Sequence, residues 1–360
     1  MELNERLELI KQVGEEIVTE EELAKLLSEK ETFVAYDGFE PSGRIHIAQG
    51  LVRAINISKM IKAGAKFKVL LADWHAQANH KYGGDLQKIK DAGEYFIEVW
   101  KASGLDVSGV EFIWASDLVK QPNYWETVMK IEIHNNLPRV LRTVEIMGRS
   151  ESDSLTASQI IYPLMQAADI FILGADVCQL GMDQRKVNML ARETSESLGF
   201  KKPLIVSHHM MLGLLPPTDK EENEDATSRG IRLKMSKSKP DSAIFMTDSV
   251  DDVNRKIRNA WCPEGVIIEN PILEYTKYVV FNMEEKMLIE RPEKFGGNIE
   301  YSSYTDLEKD FADKKLFPLD LKNSLASYIN KYLEPVRKHF EENAHAKELK
   351  EKVESYTVTR

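Results

Sequence analysis

The sequence has few cysteines, no long apolar segment and no excess of basic residues, and each absence excludes a class of protein. Among 360 residues there are two cysteines, Cys178 and Cys262, and neither stands at the spacing typical of zinc ligands. We therefore expect neither a disulfide framework nor a protein-bound metal. No apolar run approaches twenty residues, so the sequence predicts no transmembrane helix and no membrane partner.

The amino-terminal stretch and the charge balance narrow the possibilities further. The first residues, MELNERLELIKQVGEE, are acidic and charged, unlike a signal or transit peptide, which favours a cytoplasmic protein. Acidic residues outnumber basic ones 58 to 48, and the net charge is −10. Because phosphate contacts need Lys and Arg, any RNA affinity should be modest, salt-sensitive and confined to a local basic face.

The first part of the chain alternates strand-like and helical patterns. Apolar strand-like runs occupy residues 33–36, 67–72, 110–114, 169–173 and 204–207. Helical patterns begin at Ile45 and at about Asp85, and residues 3–29 also have helical spacing, with Thr19 opening a capping box. Short apolar strands separated by helices predict an α/β fold with a doubly wound, Rossmann-like parallel sheet. Ligands of such sheets bind beyond the carboxyl ends of the strands.

Other segments interrupt or follow this alternation. Residues 124–168 are mostly helical in pattern, so we place a helical insertion at about 116–168. Residues 216–233 are polar, acidic and punctuated by Gly and Pro, which predicts a flexible loop. After residue 250 the patterns are helical and no strand is predicted. The predicted domains are therefore 1–250, with the sheet, and 251–360, an α-helical domain.

Two polar segments suit triphosphate chemistry. Residues 41–49, PSGRIHIAQ, place Gly and His at a predicted helix start, where exposed N–H groups and the helix dipole favour anions. Residues 234–238, KMSKS, place two lysines on the polar loop as a mobile cationic clamp. Each string alone is compatible with a solvated loop. Together, a fixed and a mobile half suit cleavage of a nucleoside triphosphate with release of pyrophosphate.

This pair resembles the HIGH and KMSKS signatures of class I aminoacyl-tRNA synthetases. The strings YDGFEPSG at 36–43, YPLMQAAD at 162–169 and GMDQRK at 181–186 resemble tyrosyl-tRNA synthetases of the archaeal and eukaryotic type. The resemblance covers about residues 30–340. It implies activation of L-tyrosine with ATP and Mg²⁺ to tyrosyl-adenylate and pyrophosphate, then transfer of tyrosine to the 3′ end of tRNA(Tyr), by a homodimer.

The resemblance also implies a tyrosine pocket. Residues 162, 166 and 169 are spaced by four and three, so on a helix they share one face. It implies that Tyr36 and Asp169 contact the phenol hydroxyl of the substrate. It also implies that the amino and carboxylate groups are held by Tyr162, Gln166 and Gln184. Without the matching strings, an amphipathic helix with solvent-facing polar residues would be the simpler interpretation. Because phenylalanine would leave buried polar groups unpaired, no editing domain is expected.

For ATP, the resemblance implies catalytic roles for three residues. Lys234 and Lys237 would hold the departing pyrophosphate, while His46 would contact the triphosphate. The other implied ATP-binding residues are Gly38, Gln49, Gly181, Asp183 at the ribose, Met235, Ser236 and Ser238. Gln49 stands where the signature has its second His; its amide can donate a hydrogen bond but carries no charge. The neighbours at 208–209, both His, point to opposite faces of a strand, which makes them a poor metal-binding pair.

In the second domain, residues 291–297 and 318–323 resemble anticodon-reading elements. The resemblance implies that Phe295 stacks on a base and that Asp320 accepts a hydrogen bond from guanine. A buried core Phe and a helix-capping Asp are the structural alternatives. The insertion at 116–168 resembles the region through which these enzymes dimerise and meet the acceptor stem.

Three other functions fit parts of the pattern. Tryptophanyl-tRNA synthetases share the fold and signatures, although Tyr36 with Asp169 suits a phenol better than an indole. A small-molecule nucleotidyltransferase would have the HxGH-like motif without needing KMSKS or an anticodon-like domain. A catalytically silent paralogue would keep the fold, and Gln49 leaves that possibility open.

Overall fold

One mixed β-sheet organises the first part of the chain. The computed structural model describes residues 1–149, 153–220, 224–237 and 239–357, and in these residues six strands lie in the order β1-β6-β5-β2-β3-β4. The strands are β1 (Glu16–Val18), β2 (Phe33–Phe39), β3 (Ala65–Leu71), β4 (Val110–Trp114), β5 (Val177–Gly181) and β6 (Leu204–His208). Strands β2 to β6 run parallel, and β1 pairs antiparallel with β6 at one edge. β5 and β6 are buried throughout, as expected of a sheet covered on both faces.

Helices cover the sheet and continue into the insertion. They are α1 (Leu3–Lys11), α2 (Glu20–Glu29), α3 (Leu51–Lys62), α4 (Asp73–Ala78), α5 (Leu86–Ala102), α6 (Ala115–Leu118), α7 (Tyr124–Ile133), α8 (Leu137–Leu141), α9 (Ala157–Ile172), α10 (Arg185–Thr194) and α11 (Ala226–Leu233). Side chains set several of their starts. Thr19 caps α2, Asp85 caps α5 by accepting two backbone N–H groups, and Thr156 forms a capping box with Gln159 at α9.

The carboxyl-terminal part is mostly helical. Its elements are α12 (Val250–Asn259), α13 (Pro271–Tyr275), a π-helical turn (Thr276–Val280), α14 (Phe281–Met283), β7 (Met287–Ile289), β8 (Ile299–Tyr301), α15 (Tyr304–Ala312), α16 (Pro318–Glu342) and α17 (Ala344–Ser355). The prediction of no strand after residue 250 was wrong, because β7 and β8 form a short antiparallel hairpin. Three-residue strands are too short to show the alternation that identifies a strand in sequence.

The α/β class and four of the five predicted sheet strands are confirmed. The prediction of a strand at 169–173 was wrong: this run is the end of α9, and the strand follows at 177–181. A short apolar run fits a buried helix and a buried strand equally well. The helix predicted from Ile45 begins at Leu51, because the intervening residues pair with a later segment of the chain.

Two further predictions need correction. Residues 3–29 are not continuously helical, because Ile17 lies in β1; the sheet is therefore mixed rather than wholly parallel. The segment predicted as a flexible loop, 216–233, includes the helix α11. Asp225 caps that helix by accepting the N–H of Ser228, so a cap within the polar stretch stabilises a turn that composition alone did not indicate.

Helix α5 joins the sheet to the carboxyl-terminal helices. Tyr95 of α5 packs against Phe340 of α16 with ring centroids 5.3 Å apart, and Glu98 lies 2.7 Å from His339. The Tyr356 hydroxyl donates to Asp91 at 2.6 Å. One apolar core cluster extends from the sheet into α16 and α17. In the part of the chain that the structure describes, no helix is long and apolar enough to cross a membrane.

His209 is a second link between the two parts. It follows β6, with Nδ1 3.3 Å from Glu15 and Nε2 3.1 Å from Glu274, and its ring stacks on Tyr278 at a centroid distance of 4.5 Å. Burial acts to lower the pKa of His209, but the two carboxylates outweigh it and raise the pKa to about 9. The charged imidazolium therefore bridges the start of the chain, the sheet and α13.

We predict a pH-dependent loss of stability at His209. Because the folded pKa of about 9 exceeds the ordinary value near 6.5, its contribution is fully present below about pH 6.5 and is lost as the pH rises through 9. His209→Gln should reduce the free energy of unfolding by roughly 1–3 kcal/mol at pH 6, and by much less at pH 9.5. Urea unfolding at both pH values measures this difference.

The matched control is His345→Gln, since that exposed imidazole lies 4.0 Å from Glu94 and should contribute little. An equal gap between wild type and His209→Gln at the two pH values would show that His209 is not held as the cation.

Candidate active site

A cavity of about 700 Å³ opens at the carboxyl ends of the parallel strands. Tyr36 and Gly38 reach it from β2, and His75 from the helix after β3. Asp183 follows β5, and His208 ends β6. Residues from distant parts of the sequence therefore converge because parallel strands all end at one edge of the sheet.

Most of the predicted site residues line this cavity. They are Tyr36, Gly38, His46, Gln49, Tyr162, Gln166, Asp169, Asp183, Gln184, Lys234, Met235, Ser236 and Lys237. Gly181 is not a lining residue; it ends β5, and a Cβ there would come within 2.6 Å of the Asp183 Oδ1, so glycine permits this approach. Ser238 lies outside the residues that the structure describes. Phe295 and Asp320 are in the carboxyl-terminal region, away from the cavity.

One end of the cavity is built around the carboxylate of Asp169. This residue is fully buried on α9; the Tyr124 hydroxyl donates to its Oδ1 at 2.8 Å, and His75 Nε2 lies 3.0 Å from its Oδ2. The buried Tyr36 hydroxyl has no hydrogen-bond partner in the described part of the chain. Because buried polar groups are nearly always paired, this hydroxyl can pair with a polar group that enters the cavity.

The protonation states of this end follow from burial. Burial, with the nearby Asp169 charge, raises the pKa of Tyr36 and of Tyr124 well above the ordinary value, so both phenols remain neutral donors. Burial acts to lower the pKa of His75, but Asp169 outweighs it and raises the pKa. The end is thus a set of donors arranged around a single carboxylate.

The side-chain amides next to Asp169 form a short chain of hydrogen bonds. Gln166 donates to Gln184 at 3.1 Å, and Gln184 donates to the Ile146 carbonyl at 3.0 Å. Tyr162 packs edge-on against His75, with ring centroids 5.0 Å apart. The prediction that residues 162, 166 and 169 share one helix face is confirmed, since all three line the cavity from α9.

The other end of the cavity depends on contact between the two signature segments. Ile47 donates its N–H to the Ile244 carbonyl at 2.8 Å, and Met246 donates to the Ile45 carbonyl at 3.0 Å. These bonds hold His46 opposite the segment that follows KMSKS. Gly50 allows the approach, because a Cβ there would lie 2.6 Å from the Met246 sulfur.

Cations surround His46 at this end. Lys234 is 2.7 Å from Asp183, and Lys237 donates to the Ser42 carbonyl. Burial, followed by the charge of Lys81, lowers the pKa of Lys237 to about 7. Burial and then the two signature lysines lower the pKa of His46 well below its ordinary value, so its ring is neutral. The grouping of basic side chains around a neutral imidazole suits a polyanion.

Several contributors were not predicted as site residues. Tyr124 lies 45 positions before Asp169 in an ordinary helical pattern, and His75 was noted only for its place after a strand. Arg53 and Asp37 also line the cavity. No spacing in the sequence marks these residues, because their proximity arises from the packing of separate elements.

The tandem histidines have different partners. His208 Nδ1 lies 2.6 Å from the Gln179 side chain, whereas His209 contacts Glu15 and Glu274. The two rings thus contact different parts of the chain. Within the described residues there is no group of three or more His, Cys, Asp or Glu that could hold a metal.

Phe295 and Asp320 occupy neighbouring segments of the carboxyl-terminal region. Phe295 lies between β7 and β8 with 61% of its surface exposed, so it is not a core residue. Asp320 lies in the first turn of α16, and Phe317, not Asp320, is the N-cap. Arg291 bridges the segments by donating to the Gly297 carbonyl at 2.9 Å and approaching the Lys315 carbonyl at 3.5 Å.

Comparison with known proteins identifies the relatives of this chain. The family described as "tRNA synthetases class I (W and Y)" matches residues 28–334. The "Tyrosine--tRNA ligase 1, cytoplasmic" of Arabidopsis thaliana is 50% identical over 362 residues, covering 100% of this chain and 90% of the relative. The "Tyrosine--tRNA ligase" of Pyrococcus furiosus is 40% identical, with both chains covered completely.

Comparison with solved structures points to the same relatives. The tyrosyl-tRNA synthetase of Pyrococcus horikoshii, crystallised with L-tyrosine, superposes with a TM-score of 0.91 at 38% identity, covering 98% of this chain and 100% of that chain. A tryptophanyl-tRNA synthetase from Encephalitozoon cuniculi reaches a TM-score of 0.70 at 18% identity over 97% of this chain and 92% of its own, a likeness of fold alone. The chain therefore belongs to the tyrosyl-tRNA synthetase family of class I aminoacyl-tRNA synthetases.

Proposed function

We propose that this chain is a tyrosine–tRNA ligase, which activates L-tyrosine with ATP and transfers it to the 3′ end of tRNA(Tyr). The observation that carries the proposal is that one cavity offers buried partners for a phenol at one end and cations for a triphosphate at the other. The names of the curated relatives support the same substrates.

The first step is attack of the tyrosine carboxylate on the α-phosphorus of ATP. A carboxylate oxygen–phosphorus bond forms, the bond from Pα to the bridging oxygen breaks, and pyrophosphate leaves with that electron pair. Lys234 and Lys237 stabilise the charge on the leaving group, and His46 contacts the triphosphate together with the Gly38 backbone. Because the attacking group is already ionised, positioning and charge stabilisation account for most of the catalysis.

In the second step a ribose hydroxyl of the terminal adenosine of tRNA attacks the activated carbonyl carbon. The bond from that carbon to the phosphate oxygen breaks, AMP leaves with the electron pair, and the hydroxyl proton passes to the departing phosphate. The ATP-binding set also includes Gly181, Asp183 at the ribose, Gln49 and the rest of the KMSKS segment, Met235, Ser236 and Ser238. Mg²⁺ enters as the counterion of ATP, held mainly by phosphate oxygens, as is usual for this ion.

Selection of tyrosine rests on the hydroxyl end. Tyr36 and Asp169 contact the phenol hydroxyl, while Tyr162, Gln166 and Gln184 hold the amino and carboxylate groups. Phenylalanine would leave the buried Tyr36 hydroxyl and the Asp169 carboxylate unpaired, which costs free energy. Asp169 is held by Tyr124 and faced by His75, so these two position the specificity group.

We also propose the division into a catalytic domain, residues 1–250, and an anticodon-binding domain, residues 251–360. Phe295 and Asp320 read the anticodon: the exposed ring of Phe295 is available for stacking, and Asp320 is not used as a helix cap. The cytoplasm is the proposed location, supported by the relatives named cytoplasmic.

A homodimer forms through the insertion at 116–168, in our proposal. Trp125, Met129 and Ile133 lie four residues apart on α7 with 43%, 55% and 77% of their surfaces exposed, and Leu137 follows at 56%. Large apolar side chains on one helix face mark an interaction surface. A second copy of the chain would cover them through a two-fold contact.

The function is tested by tyrosine-dependent exchange of pyrophosphate into ATP. We expect exchange with tyrosine and none of comparable rate with the other nineteen amino acids. Exchange driven by tryptophan instead would contradict the proposed substrate, and no exchange with any amino acid would indicate a catalytically silent protein.

Asp169→Asn should lower kcat/KM for tyrosine by roughly 10- to 100-fold, because a hydrogen bond to a charged partner is worth about 1.5–3 kcal/mol. The margin over phenylalanine should narrow as well. Tyr124→Phe should cause a smaller loss of the same kind. Asp117→Asn, at an exposed position on α6, is the control. Unchanged exchange kinetics in Asp169→Asn would remove this residue from the pocket.

Phe295→Ala and Asp320→Ala should impair charging of tRNA(Tyr) and leave pyrophosphate exchange intact, because the first step needs no tRNA. A stacked base is worth roughly 1–3 kcal/mol. Both half-reactions are measured on each variant, with Asp251→Ala, exposed on α12, as control. A tRNA altered at the first anticodon base should already be charged poorly by the wild type, and Asp320→Ala should reduce that charging rate little further. If the two defects in charging were fully additive, Asp320 would not read that base.

Ile133→Asp should convert the dimer to monomers, because a carboxylate would be buried without a partner at the centre of the apolar face. Sedimentation equilibrium measures the mass in solution. Ile268→Asp carries the same change at an equally exposed position, 76%, in the carboxyl-terminal region and should remain dimeric. If neither variant dissociated, α7 would not be the interface.

A further inference from the structure

Arg53 and Asp37 form a buried ion pair in the cavity wall. Arg53 is the third residue of α3, and its Nε lies 3.1 Å from Oδ2 of Asp37 on β2; the side chains are 14% and 1% exposed. The second carboxylate oxygen of Asp37 accepts the N–H of Gly38 at 2.9 Å. Asp37 is thus fixed by its own strand, and its carboxylate attracts the guanidinium through charge rather than through a hydrogen bond.

The outer face of that guanidinium is available. In the described ranges of the chain, no hydrogen bond is found for Nη1 or Nη2 of Arg53, and the residue lines the cavity. The ring of Phe39 lies beneath it, with its centroid 5.7 Å from the Arg53 Cζ. Arginine presents its donors as a planar fork, and the two terminal nitrogens of Arg53 are not among the buried unpaired atoms of the described residues, so they are accessible from the cavity.

Arg53 belongs to the cationic end of the cavity. Its charge is among the causes that lower the pKa of His46, after burial and the two signature lysines, and it also contributes to lowering the pKa of His208 after burial. Three cations, Arg53 with Lys234 and Lys237, therefore lie within electrostatic reach of one neutral imidazole. Such a set matches a ligand carrying several negative charges.

The neighbouring residue Gln49 suggests which role the charge of Arg53 has. Gln49, four residues before Arg53, also lines the cavity but supplies no charge. We propose that Arg53, paired with Asp37, binds phosphate oxygens of ATP and supplies the positive charge that Gln49 does not. The inference rests on the proposed function, because it names a contact to that reaction's nucleotide.

The test separates phosphate from nucleoside and from tyrosine. Arg53→Met is compared with wild type for competitive inhibition of exchange by AMP and by adenosine, for the KM and kcat of ATP, and for tyrosine affinity measured calorimetrically without ATP. We expect kcat/KM for ATP and the affinity for AMP to fall by about 10- to 100-fold. Affinities for adenosine and tyrosine should not change.

Two further variants separate the loss of a phosphate contact from a loss of structure. Arg53→Lys keeps the charge without the fork and should recover part of the loss, which a purely structural role would not produce. If Arg53→Met fails to fold because Asp37 is left buried and unpaired, Asp37→Asn with Arg53→Met removes both charges and allows the same measurements. Lys62→Met, exposed at the end of α3, is the control.

Equal losses for AMP and adenosine would overturn the proposal, since Arg53 would then shape the nucleoside pocket. Loss of tyrosine affinity would assign it to the tyrosine carboxylate instead. Wild-type exchange with tyrosine tests the proposed function separately, and direct calorimetric binding of AMP and adenosine tests Arg53 even without turnover.

Discussion

The site depends above all on a short antiparallel contact between residues 45–47 and 244–246. Two backbone hydrogen bonds, from Ile47 to Ile244 and from Met246 to Ile45, join the segments that carry the two signatures. Lys237 then reaches the Ser42 carbonyl because the chain between it and residue 244 is short. This contact requires glycine at position 50, because Met246 occupies the space that a side chain there would need.

Burial sets the charges around this contact. Desolvation keeps His46 neutral, brings the pKa of Lys237 to about 7 and keeps the pocket phenols protonated. A polyanion entering the cavity would favour the charged form of Lys237, because an opposite charge raises the pKa of an amine. Binding of the proposed substrate would therefore be coupled to protonation of Lys237.

The Asp169 end of the cavity is subject to a different constraint. Asp169 is a buried carboxylate, and such a group is tolerated only where donors surround it. Tyr124 from α7 and His75 from α4 supply this environment, so the helical insertion is structurally part of the pocket. Helix α7 also carries the exposed apolar face. The pocket and that surface therefore share one helix.

The sequence determined the α/β class, most of the parallel strands and the motif residues, because apolar runs and short strings of polar residues are local properties. It could not determine whether 169–173 is strand or helix, since its four consecutive apolar residues, 170–173, fit either element. It could not reveal β1 or the β7–β8 hairpin, which are three residues long and exist through their pairing. Tyr124 beside Asp169 and Arg53 beside Asp37 were decided by tertiary structure alone, because packing of separate elements, not spacing along the chain, brings their charges and hydrogen-bonding groups together.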